Sequence, residues 1–83
     1  MTAPTNQPLD KVTLERFKAY KKANPSWGHL HIVLDDGNVK DGHVRSCREM
    51  ALKANDTEGV ELADILLTQS KSQRIKLGNR FGA

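Results

Sequence analysis

Four side chains in this 83-residue sequence carry donor atoms that metals favour: His29, His31, His43 and Cys47. Zinc takes four nitrogen or sulfur ligands in a tetrahedron. His43 and Cys47 are four positions apart, so on a helix they share a face. His29 and His31 are two positions apart and share a face only in an extended segment. The two pairs thus ask for different local structures, and a structural zinc site is commonly richer in cysteine. The residues read more simply without a metal. Cys47 is then a small buried hydrophobe, and the histidines are surface or locally hydrogen-bonded groups. No cofactor is expected.

Two further chemistries fail on spacing or placement. His43 one turn before Cys47 could form a thiolate–imidazolium pair. Cys47, however, falls on the apolar stripe Val44–Cys47–Ala51, which predicts an inert thiol, and so small a helical domain has little room for a substrate cavity. The expectation is a protein that is not an enzyme. Asp35, Asp36, Asn38 and Asp41 suggest a calcium loop. Counting from Asp36, its glycine position is Asp41 and its closing glutamate position is Cys47, so the segment reads as a turn and a helix cap.

Basic residues offer a third chemistry. Residues 1–34 hold five basic and two acidic side chains, 35–64 hold four and eight, and 65–83 hold four and none, for a net charge of +3. Positive ends around a negative middle have two readings: the ends fold back on the middle, or they contact an anionic partner. The weak overall charge favours the first. Under the second, Lys71, Arg74, Lys76 and Arg80 would join Lys18, Lys21 and Lys22 against a nucleic-acid backbone. Residues 62–75 also look like a helix-turn-helix unit. The register disagrees, because the turn position is Leu67 where glycine is favoured and a buried aliphatic position is Gln73. An uninterrupted helix accommodates these residues with fewer exceptions.

The elements that must position these side chains read as helices. Asp10 or Thr13 can cap a first helix with Leu14, Phe17 and Tyr20 on one stripe, ending near Ala23 ahead of Pro25. Ser26–Leu34 reads as a short helix, with 29–34 acceptable as a short strand. Asp41 is the expected cap of a third helix bearing Val44, Cys47, Ala51 and Ala54. Asp56 or Thr57 caps a fourth, whose apolar residues Val60, Leu62, Ala63, Ile65, Leu66 and Leu67 span more than one face and suggest contact with two neighbours. Ile75 and Leu77 could pack back, and Gly78 is the expected stop. The fold class is therefore all-α, a bundle of about four helices. Residues 1–8 read as a disordered lead, 9–77 as a single helical domain and 78–83 as a frayed tail. Trp27, Ile65, Leu66 and Phe81 are the apolar candidates for a protein-binding surface, with core packing the simpler reading for Trp27.

The start of the chain lacks the pattern of a signal peptide, and no apolar run approaches the ~20 residues of a membrane span. A single cysteine, Cys47, suits a reducing cytoplasm. The run from Ser26 to Val39, with Ser70-Lys71-Ser72-Gln73-Arg74, is similar to small uncharacterised proteins encoded by bacteriophages and prophages, over roughly residues 10–77. That resemblance implies a bacterial cytoplasm and a role during phage growth, and it brings no catalytic or binding residue with it. The functional expectation is contact with a protein partner or a second copy of the chain, with nucleic-acid binding as the alternative and no membrane.

Overall fold

A computed structural model describes residues 9–82, the side chains at 81 and 82 excepted. The expected lead at 1–8 lies outside the described residues. Asp10 accepts a hydrogen bond from the Thr13 amide and starts α1, Lys11–Ala23, which buries Phe17 and Tyr20. Asn24 closes that helix, its backbone and side-chain amides both donating to the Tyr20 carbonyl. Pro25–Leu30 forms a 3₁₀ segment, followed at once by α2, His31–Leu34. The 29–34 stretch is thus helical, as the first of the two readings had it.

The 3₁₀ segment is built around Trp27. Ser26 and Trp27 take left-handed φ values of 62° and 69°, and Gly28 follows at φ 49°, ψ −122°. Two left-handed non-glycine residues cost about 1–3 kcal/mol each. The compensation is an indole that is fully buried, edge-to-face on Phe17 at 6.4 Å between ring centroids. An aromatic ring burying about 150–250 Å² stabilises by roughly 4–6 kcal/mol, enough to hold the turn.

Helix α3, Asp41–Lys53, buries Val44, Cys47 and Ala51. Asp41 was the expected cap, yet Lys40 holds that position without a side-chain bond and Asp41 is the first helical residue. Its carboxylate is drawn away to Arg74. Asn55, at φ 58°, ends the helix in a left-handed cap with Asp56 N–H donating to the Ala51 carbonyl and Asn55 N–H to Leu52. Asp56 then caps α4, Thr57–Leu67, by accepting from the Gly59 amide. Helices α3 and α4 pack as a hairpin and supply the largest interface. As the breadth of its apolar residues predicted, α4 also meets α1 and the 3₁₀ segment.

The expected continuous helix through Arg74 breaks at Thr68–Ser70. Thr68 and Gln69 turn back onto the Ile65 and Leu66 carbonyls, and the Ser70 hydroxyl accepts from the Gln73 amide to start α5, Lys71–Gly82. Helix α5 leaves α4 and packs on α2. Gly78 is a contact point and not a stop, because a Cβ there would stand 2.5 Å from the Leu34 carbonyl oxygen. The expected frayed tail is therefore helical as far as Gly82. The described residues hold five α-helices and no strand, all-α as expected but with one more break than the four-helix reading allowed.

Candidate functional site

The expected ligand set does not converge. His29 Nδ1 lies 2.8 Å from Asp56 Oδ2, and His31 Nδ1 lies 2.8 Å from the Gly28 carbonyl. The buried Nδ1 of His43 has no hydrogen-bond partner among the described residues, and Cys47 is fully buried. No group of three metal-ligating side chains forms among the described residues. Burial pushes the Cys47 thiol up, the opposite of what a thiolate nucleophile requires.

One polar cluster that sequence spacing did not bring together surrounds Asp56. Tyr20 donates its hydroxyl to Asp56 Oδ2 at 2.6 Å, His29 meets the same oxygen, and the Gly59 amide takes Oδ1. Burial raises the Asp56 carboxyl, but the Tyr20, His29 and Gly59 hydrogen bonds outweigh it and hold the group below its ordinary value. Burial, then the neighbouring carboxylate, pushes the Tyr20 phenol up. The cluster ties α1, the 3₁₀ segment and the start of α4 together. Asp56 was legible as a cap, whereas its long-range partners carry no local signal.

The basic residues separate into groups. Arg74 is 1% exposed: Nε donates to the Leu66 carbonyl at 2.8 Å, and Nη1 to the Val39 carbonyl at 2.5 Å and Asp41 Oδ1 at 2.8 Å. It is a structural residue and is withdrawn from any nucleic-acid surface. Arg74, with smaller contributions from Arg45 and Lys71, holds the Asp41 carboxyl down. Arg16 pairs with Glu58 and Glu61 of α4, so basic side chains from both ends do fold back on the acidic middle. Lys21 Nζ lies 5.6 Å from the centroid of the Trp27 ring. Lys18 and Lys22 are exposed and make no ion pair among the described residues.

The apolar candidates move as well. Trp27 and Leu66 are fully buried, and Ile65 is half-buried against the core. Trp27 and Leu66 are core residues in place of a docking surface. The Phe81 side chain lies outside the described residues.

What remains open is a groove of about 280 Å³ between α1 and α5. Leu9, Leu14 and Leu77 form its apolar floor, and Gln69, Gln73, Lys76 and Arg80 line the α5 side. The pairing of Arg16 with α4 fixes the orientation of α1. Leu14 lies on the other side of the Phe17–Tyr20 stripe, toward α5, and Lys11, Lys18 and Lys22 follow at i−3, i+4 and i+8 from it. The cations that line the groove, Lys76 and Arg80, both come from α5, and these α1 lysines stand along the Leu14 side of their own helix without lining the groove. Gln73, Lys76 and Arg80 recur at helical spacing and were separable from Lys71 by that periodicity alone. Gln69 is 6% exposed, and its Oε1 has no hydrogen-bond partner among the described residues.

Among the described residues, no helix is long and apolar enough to cross a membrane. Comparison with protein families, curated proteins and solved structures finds no match to this chain.

Proposed function

We propose that this chain is a non-enzymatic accessory protein, of the phage or prophage type, that works in the bacterial cytoplasm by contact with another protein. The observation that carries the reading is the α1–α5 groove, which joins an apolar floor to an amide and cationic border. Its volume falls at or below the ~300–1,000 Å³ of small-molecule clefts. Such a shape suits side chains of a macromolecular segment, and a floor of the partly buried Leu9 and Leu14 beside the buried Leu77, set between polar side chains, favours a protein over a phosphate backbone.

Nucleic-acid binding is the second reading. Lys18, Lys22, Lys71 and Lys76 support it, being exposed and without an ion pair among the described residues. It loses Arg74, and Lys71 lies on a different edge from Lys76.

A photo-reactive side chain at Gln73, compared with one at Ser46 on the exposed side of α3, separates the readings. Cross-linking in a nuclease-treated bacterial lysate should capture a discrete protein from position 73 and not from 46. Equal capture from both positions, or products that appear only without nuclease, would overturn protein contact through the groove.

A further inference from the structure

We infer that the α1–α5 groove takes an acidic segment of a partner protein that inserts an apolar side chain between Leu14 and Leu77. This rests on the protein-contact reading and adds the partner's chemistry. Glu15 is the one acidic residue in α1 and α5, against five basic residues in α1 and four in α5. Two of those nine are taken inside the fold, Arg16 by Glu58 and Arg74 by Asp41. Lys76 and Arg80 are the charged residues among those that line the groove, and carboxylates flanking an apolar anchor complement them.

A neutral acceptor adds a second requirement. Gln69 borders the floor, more than nine-tenths buried, with Oε1 lacking a hydrogen-bond partner among the described residues. A buried acceptor left unmade costs about 1–3 kcal/mol. Rotation of the terminal amide toward the groove lets Oε1 accept a backbone N–H from the docked segment. Peptide backbone supplies such a donor beside every side chain, whereas a phosphodiester backbone supplies none. Leucine floor, cationic border and amide acceptor together point to an acidic peptide.

Selection of short random peptides, on the order of ten residues, against the immobilised full chain tests this. Enriched sequences should place Asp or Glu on both sides of a Leu, Met or Phe. The best of them, titrated into labelled protein, should shift the amide signals of Leu14, Gln73 and Lys76. Lys76→Glu should weaken it at least about tenfold, and so should replacing the peptide's apolar anchor with serine. Position 76 is exposed, so the fold should survive, and Gln73→Ala provides a second variant.

Enrichment of basic or uncharged sequences, no enrichment at all, or an oligothymidine that shifts the same signals at lower concentration would overturn the proposal. Concentration-dependent shifts without peptide would do so in favour of a second copy. If position 73 cross-links a protein while acidic peptides fail, partner contact stands and the acidic chemistry alone falls.

Discussion

Arg74 Nε donates a 2.8 Å hydrogen bond to the carbonyl of Leu66, across the turn that separates α4 from α5. The same guanidinium reaches the Val39 carbonyl and Asp41 at the entrance to α3. One side chain thus satisfies a carbonyl at the end of one helix and anchors the start of two others. A continuous helix from 57 to 82 would forgo these bonds, so the break at 68–70 and the burial of Arg74 are one arrangement.

Arg74→Leu should therefore destabilise by about 2–4 kcal/mol, since two buried carbonyls lose a charged donor. Arg74→Lys keeps the charge but cannot span three acceptors, and should recover less than half of the loss. Urea unfolding measures both. A loss below about 0.5 kcal/mol for the leucine variant would mean that the break does not depend on Arg74.

Two helical glycines should respond with opposite signs. Gly78→Ala drives a methyl group into the Leu34 carbonyl and should cost about 1–3 kcal/mol despite alanine's better helix propensity. A Cβ at Gly42, in the first turn of α3, meets nothing within 4 Å, so Gly42→Ala should stabilise by about 0.5–1 kcal/mol. Thermal melts of the two variants should move in opposite directions. Matching shifts would argue against the α2–α5 contact.

The pH dependence should have two limbs. Asp10, Asp41 and Asp56 are held below the ordinary carboxylate value. Their contribution is full above the unfolded value of about 4 and is lost as pH falls through the lower folded values. Tyr20 is pushed up. Its contribution is full below the unfolded value of about 10 and is lost as pH rises toward the folded one. Tyr20→Phe should flatten the alkaline limb and reduce the acid limb by part of the Asp56 share alone, with Asp10 and Asp41 unaltered. Unfolding free energies measured across the pH range test this, and an unchanged alkaline limb in the variant would remove Tyr20 as its cause.

Local signals carried most of the fold. Asp10 and Asp56 were readable as caps, Pro25 as a boundary, and Phe17, Tyr20, Val44 and Cys47 as core because each has the right type at helical spacing. The α4–α5 break also had a local signal, since Ser70-x-x-Gln73 is the pattern of a capping box. Its weight was outbid by the apolar continuity of 60–67 with Ile75 and Leu77. Arg74 carried no such signal, because an arginine after Ser-Gln looks solvent-exposed until Val39 and Asp41 are brought beside it. Gly78 misled for a related reason. Glycine near a helix end commonly marks a stop, whereas here it makes room for Leu34 of a distant helix. The groove depends on how α1 is rotated, which the Arg16–Glu58 pair fixes across 42 positions of sequence.

The turn that buries Trp27 should be improvable at one position and fragile two residues later. Ser26 is exposed and holds φ 62°, ψ 23°, a conformation that costs an ordinary residue about 1–2 kcal/mol and glycine almost nothing. Glycine also loosens the unfolded chain, which takes back about 0.4–1 kcal/mol. Ser26→Gly should therefore be neutral to stabilising, by up to about 1 kcal/mol. Gly28→Ala faces φ 49° and a Cβ placed 2.9 Å from that of Asn24, so it should cost at least about 2 kcal/mol. Indole fluorescence reports the turn directly, because Trp27 is the sole tryptophan. Its emission should stay blue-shifted in Ser26→Gly and move red at lower urea in Gly28→Ala. Gly28→Ala as stable as the parent chain would show that the left-handed turn is not what holds the indole in the core.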